Sequence, residues 1–176
     1  MAGRSALLTS GPVTLTVRLA TRRDAGAILD IYNHYVTNTV VTFDMVPRVI
    51  EDQLAWIDAH SGGHPAVVAE DELGVVVGYG SLSPFRSRPA YSATVEDSVY
   101  LHPEHTGEGI GRAILEELLR LAAIHGFHSV VARIAGNNEP SVRLHASCGF
   151  EPSGIEREVG RKHRQWIDVV QMQRML

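Results

Sequence analysis

The chain has a single cysteine, Cys148, among its 176 residues, so no disulfide can form within it and a reducing compartment suits it. No apolar run comes near the roughly 18 residues that a membrane span requires. Basic residues are not in excess: 16 Lys and Arg stand against 20 Asp and Glu, a net charge of −4. That balance argues against nucleic acid or an anionic membrane as the main partner. Residues 1–12 lack the charged start and apolar core of a secretory signal and are expected to be a flexible tail, with a single domain over 13–176. Histidines are not spaced for a metal. His60 and His64 are separated by the helix-breaking Gly62 and Gly63, and His102 and His105 have no third ligand nearby. A cytoplasmic protein with no metal is expected.

The apolar share of 44% and charged share of 20% are those of an ordinary globular domain. Residues 13–19 alternate as a strand with one wet face. Thr21 can cap the following helix, with Asp24 in its first turn and Ile28, Leu29, Ile31, Tyr32 and Tyr35 inward. A second helix is expected over residues 50–60. Strands at 66–70 and 75–82 flank a tight turn, and a third runs from Tyr91 to Leu101. A helix then carries Ile110, Ile114, Leu118 and Leu121 inward, with Glu116 and Arg120 as an exposed pair. A strand at 129–134, a short helix from Asn138 and a closing hairpin around Gly160 complete the chain. The order β-α-α-β-β-β-α-β-α-β-β is that of an α/β fold with a mixed central sheet.

Between the fourth strand and the long helix that follows it lies the stretch from Val99 to Arg112, which reads as strand, glycine-rich turn and helix start. Gly107, Gly109 and Gly111 clear side chains from one side of the turn, so backbone N–H groups can converge before the positive end of the helix. Such a cradle holds phosphate. A tight turn also wants glycine, and spacing alone leaves both readings open.

This order and turn resemble the GNAT superfamily of acetyl-CoA-dependent N-acetyltransferases. Four segments narrow the likeness: Ile31-Tyr32-Asn33-His34-Tyr35, Thr94 to Tyr100, Asn138 to His145, and Gly160 to Val169. Together they resemble the phosphinothricin acetyltransferase subfamily, which acetylates the α-amine of glutamate-like compounds. The likeness runs from about residue 14 to 174 and implies the GNAT fold, with a mixed, mostly antiparallel sheet flanked by helices. One position departs from the superfamily pattern. Thr106 stands where Gln or Arg usually opens the turn, which removes one contact to the cofactor.

The resemblance implies roles residue by residue. Gly107, Glu108, Gly109, Ile110, Gly111 and Arg112 correspond to pyrophosphate contacts through backbone nitrogens. Val99, Tyr100 and Leu101 correspond to the strand along which the pantetheine arm lies. Asn138 and Ser147 correspond to positions at the far side of the cofactor, although Asn138 also reads as a plain helix cap. Glu96 is the expected general base, since an ammonium must lose a proton before its nitrogen attacks a thioester. An exposed strand carboxylate is the alternative reading. His145 is the expected donor to the departing thiolate, against the alternative of a satisfied, half-buried histidine. A backbone N–H near Leu101 corresponds to the oxyanion donor. Arg86 first, and Arg88, offer the planar cation that an acceptor carboxylate wants, with Tyr91 beside them and Phe43 as a pocket wall, a solvated charged loop being the alternative reading of each arginine.

The expected activity is therefore transfer of acetyl from acetyl-CoA to the α-amine of an amino-acid-like acceptor such as phosphinothricin or methionine sulfoximine. Direct attack in a ternary complex is expected, because no covalent nucleophile presents itself. A polyamine, an aminoglycoside or a protein N-terminus is the alternative acceptor, and a non-catalytic acyl-CoA-binding module the alternative class. A homodimer is expected from the same resemblance.

Overall fold

Thr21 begins the first helical segment much as its sequence predicts. It precedes a short 3-10 turn, Arg22–Asp24, and its backbone N–H donates to Asp24 Oδ2 at 2.7 Å. Arg18 grips the same carboxylate with two bonds of 2.8 Å and also reaches Glu70, so the first strand, the turn and the second strand share one ion cluster. The Arg18 hydrogen bond holds the Asp24 carboxyl below its usual range despite its burial.

The computed structural model describes residues 15–176. The expected tail over 1–12 and the start of the first strand at Val13 lie outside the described residues. In chain order the elements are β1 (Thr16–Leu19), α1 (Ala25–Asn38), α2 (Ile50–Ala59), β2 (Ala66–Glu70), β3 (Val76–Pro84), β4 (Thr94–Leu101), α3 (Ile110–Ile124), β5 (Ser129–Ala135), α4 (Glu139–Ser147), β6 (Glu151–Lys162) and β7 (Gln165–Met175). They form a mixed α/β fold around a seven-stranded sheet of order β1-β2-β3-β4-β5-β7-β6. Every pairing is antiparallel except β4 with β5.

Strand alternation divides the core between the two faces of the sheet. Val67, Ala69, Val77, Val95, Val130 and Ala132 pack with the apolar stripe of α3, while Val68 and Tyr79 pack with Ile28, Ile31, Tyr32 and Val36 of α1. Helix α3 lies close against β3 because Gly80 offers no side chain there. A Cβ at Gly80 would stand 2.6 Å from Ile114 Cγ2 and 2.9 Å from the Ser98 carbonyl.

Several local expectations are corrected. Tyr91 ends a 3-10 turn, Pro89–Tyr91, and β4 starts only at Thr94. Glu116 does not pair with Arg120. It pairs with Arg112, and Arg120 takes Glu117 through two bonds of 2.7 Å. Leu29 is half-exposed, and Val36 takes the buried position on α1. The closing hairpin turns at His163 and Arg164, both left-handed with φ of 48° and 64°, and not at Gly160. Gly160 instead follows a bulge around Glu158, whose amide donates to Asp168 Oδ1 at 2.8 Å.

Candidate active site

The parallel pair is short, and its shortness makes the site. β4 and β5 are bonded only from Thr94 with Ser129 to Asp97 with Ala132. Beyond that point β4 stays with β3 as far as Leu101, while β5 stays with β7 as far as Ala135. The two strands open into a wedge, a cavity of about 380 Å³ lined by both of them, the glycine turn and α4. The His102 N–H donates to Val77 O at 2.8 Å. Antiparallel bonds alternate, so the N–H groups of Val99 and Leu101 turn away from β3 and into the opening. The Leu101 carbonyl faces the same way and accepts from Tyr35 Oη at 2.8 Å. Tyr35 lines the cavity but was not singled out in the sequence as a site residue.

The glycine turn closes the wide end of the wedge. Gly107 and Gly109 both have φ of 83°, and nothing lies within 4 Å of where their Cβ atoms would be. Their role is conformational. Gly111 serves packing, since a Cβ there would meet Leu144 of α4 at 3.2 Å. Thr106, Gly107, Gly109, Gly111 and Arg112 line the cavity. Glu108 turns to His105 at 3.2 Å, and Ile110 is buried in the core. An open backbone cradle at the start of a long helix fits a pyrophosphate, and unpaired strand amides beside it fit an amide-bearing arm.

At the narrow end sits His145. Its Nδ1 is 2.7 Å from the Ser141 carbonyl and its Nε2 is 3.0 Å from Asp97 Oδ2. Burial disfavours the charged ring, but the Asp97 hydrogen bond and charge, with the Ser141 carbonyl, outweigh it, and the His145 pKa is raised. Asp97 was missed in the sequence. A signal was available, because Asp97 is in phase with the inward-facing Val95 and Val99, and a buried carboxylate there needs a partner. Asn138 lines the cavity and also caps α4, its side chain accepting from the Ser141 N–H at 3.2 Å. Ser147 is exposed, its hydroxyl donates to the Leu144 carbonyl, and it does not line the cavity.

Glu96 lies on the opposite face of β4 from Asp97. Burial raises its carboxyl pKa, Arg133 opposes the shift, and the charges of Asp97 and Glu156 support it. Glu96 itself does not line the cavity; Arg133, on β5 just past the vertex of the wedge, does, and it is paired with Glu156, which Gln171 Nε2 also reaches at 2.7 Å. Neither Arg133 nor Glu156 was recognised from the sequence. The remaining acceptor-side residues sit farther out. Arg86 stacks over Phe85 at 4.9 Å and near Tyr91 at 5.6 Å, Arg88 is exposed, and none of Arg86, Arg88 and Tyr91 lines the cavity. Phe43 covers Gly160, where a Cβ would meet its ring at 2.5 Å, so the loop after α1 rests on β6. Lys162, only 3% exposed, ties down the same loop by donating from Nζ to the Thr42 carbonyl at 2.9 Å. Desolvation lowers its pKa, with Asp44 acting against the shift.

Comparison with known proteins agrees with this geometry. The family described as "Acetyltransferase (GNAT) domain" matches residues 17–171. The chain is 40% identical over 163 residues to L-methionine sulfoximine/L-methionine sulfone acetyltransferase of Salmonella typhimurium, covering 92% of this chain and 95% of the relative. A phosphinothricin acetyltransferase from Sinorhizobium meliloti, solved in complex with acetyl-CoA, superimposes with a TM-score of 0.89 at 41% identity, covering 93% of this chain and 89% of that one. A ribosomal-protein-alanine N-acetyltransferase from Brucella melitensis gives the same TM-score of 0.89 at 38% identity, covering 92% and 99%.

Proposed function

Because this chain belongs to the GNAT acetyltransferase family, and is thus an acetyl-CoA-dependent N-acetyltransferase, we propose that its acceptor is the α-amine of an amino-acid-like compound of the methionine sulfoximine, methionine sulfone or phosphinothricin kind. The observation that carries the reading is the placement of Glu96 and Arg133 together on the face of the sheet away from α3 and α4, beside the vertex where β4 and β5 part; Arg133 lines the cavity and Glu96 stands just behind it. An α-amino acid presents an ammonium beside a carboxylate. Glu96 takes the ammonium proton and Arg133, with Arg86 farther out, attracts the carboxylate.

Acetyl-CoA enters as co-substrate with its pyrophosphate against the amides of residues 107–112 and its arm along Val99 to Leu101. The Val99 and Leu101 N–H groups are the donors available to negative charge on the thioester oxygen. Glu96 acts as base from one face of β4 while His145 serves the sulfur from the other. Attack is direct. The protein works in the cytoplasm, where its co-substrate is made, and among the described residues no helix is long and apolar enough to cross a membrane. It is a homodimer, a reading supported by the exposed apolar residues Ile155 and Val159 on the edge strand β6 and Trp166 beside it.

A thiol-release screen with acetyl-CoA tests the acceptor. Methionine sulfoximine and phosphinothricin should turn over, and their carboxyl methyl esters should show a KM raised at least tenfold. Turnover confined to polyamines, aminoglycosides or a peptide beginning with alanine would replace this reading. Light scattering of the purified protein at micromolar concentration should give twice the chain mass, and the single-chain mass would remove the dimer.

A further inference from the structure

His145 has no free ring nitrogen. Nδ1 faces the Ser141 carbonyl at 2.7 Å and Nε2 faces Asp97 Oδ2 at 3.0 Å, and a carbonyl and a carboxylate only accept. The Ser141 hydroxyl also lies 3.4 Å from Nδ1, and a doubly protonated ring is the form that donates to both the carbonyl and the carboxylate. The two side chains are 5% and 1% exposed, so the pair sits in the dry end of the wedge, with Phe150 edge-on to the ring at 5.0 Å. Asp97 spends one oxygen on His145. Its other oxygen, Oδ1, is buried without a partner, and Asp97 lines the cavity. A buried carboxylate left half-satisfied is costly, which marks the pair as incomplete until the cleft is filled. No other charged group touches the ring. Glu96 lies on the reverse face of β4 with Arg133 and Glu156 as its neighbours. Cys148, just past the end of α4, has Glu116, Arg112 and Arg174 as its charged neighbours, and the inward residues of β5 and β7 nearby are the uncharged Ala132, Ile134 and Met172.

We propose that Asp97 is a positioning residue that holds His145 as an oriented imidazolium at the vertex of the wedge, where the thioester C–S bond breaks. When the amine nitrogen has bonded to the carbonyl carbon, the C–S bond breaks with its electron pair on sulfur. Sulfur takes the Nε2 proton in exchange for its bond to Asp97 Oδ2, the new thiol S–H donates to that carboxylate in its place, and His145 is left neutral, still donating from Nδ1 to Ser141. Solvent returns that proton, while the proton shed by nitrogen leaves through Glu96. Without Asp97 the ring has too little charge for this work, since a histidine near its ordinary 6.5 is only about 3% protonated at pH 8. The inference uses acetyl transfer alone and holds for any amine acceptor, so failure of the amino-acid reading leaves it standing.

Asp97→Asn keeps the shape and removes the charge. The expected result is a kcat lowered ten- to a hundredfold, a KM for acetyl-CoA within threefold of the parent, and an alkaline limb of the kcat profile moved to lower pH. The acid limb should stay. A folded variant with the parent's kcat and pH profile, or one with lowered kcat and an unmoved alkaline limb, overturns the proposal. Should Asp97→Asn not fold, the unmodified protein decides through the NMR titration of the His145 ring. A midpoint above 6.5 is expected, and a midpoint at or below it sinks the idea.

Discussion

The two sides of strand β4 are built from different materials. Toward α3 and α4, the site consists of backbone and buried groups: the unpaired amides of Val99 and Leu101, two left-handed glycines, and the Asp97–His145 pair. Toward the loops, it consists of side chains at or near the surface: Phe43 at 42% exposure, Arg86 on its aromatic neighbours, and Arg133 paired with Glu156. The first side depends on φ angles and on where a ladder stops, so the fold itself sets it. The second depends on which residue occupies each exposed position, and a single substitution changes it without cost to the core. A common donor and variable acceptors follow from that asymmetry.

Four substitutions probe the contrast, taken from the largest expected effect downward. Glu96→Gln should lower kcat/KM by about a hundred- to a thousandfold, the range for a lost general base, and abolish the acid limb, which lies above the usual carboxylate range because burial raises Glu96. Stability should move the other way. A carboxylate with a raised folded pKa binds more protons folded than unfolded, so it costs stability as pH rises, and Glu96→Gln should melt no lower than the parent at neutral pH. Equal losses in kcat/KM and melting temperature would assign Glu96 to structure. Gly80→Ala, on the backbone side, should destabilise the fold by about 1–3 kcal/mol through overpacking against Ile114. Calorimetry showing no change would mean that α3 shifts freely.

Gly109→Ala comes next. There is room for the methyl group, so only the left-handed conformation is penalised, by roughly 1–2 kcal/mol. The upward shift in melting temperature that saturating acetyl-CoA gives the parent should shrink in this variant, and an undiminished shift would move the phosphates elsewhere. Arg112→Ala should do least, leaving the melting temperature and the KM for acetyl-CoA close to the parent's, because the side chain is exposed and already paired with Glu116. A tenfold rise in KM for acetyl-CoA would show that the side chain, and not the backbone, carries that contact.

What the sequence conveyed follows the same division. Element order, the glycine turn and the cap at Asn138 were legible because period, glycine and Asx residues act locally. Asp97 lies next to Glu96, and only the inward phase of Val95 and Val99 distinguishes the two carboxylates. Arg133 reads as an ordinary strand arginine until the sheet order places β5 beside β4 and its far end away from it. The Glu116–Arg120 pairing failed because Arg112 and Glu117 were equally near along the helix, and spacing rules do not choose among such partners. The hairpin turn at His163 and Arg164 bends through left-handed residues that are not glycine, while the nearby Gly160 offers a misleading cue. Carboxylate recognition suffers most, since the distance from an exposed arginine to the reacting centre is not written in its neighbours.

Lys162 was described as the tie between the loop after α1 and the last hairpin, and it has a second aspect. It is the single lysine in the chain; the other fifteen of the sixteen basic residues are arginines. An enzyme that handles an activated thioester exposes its own surface to acylation, and a free lysine amine is the side chain most open to it. Among the described residues the Lys and Arg side chains facing solvent are guanidinium groups, which stay protonated and do not attack acyl carbon, and the one lysine amine is buried with one of its hydrogens given to the Thr42 carbonyl. The protein can transfer acetyl groups without presenting a lysine of its own as a competing acceptor, and amine-directed reagents should leave its lysine side chain unmodified while it remains folded.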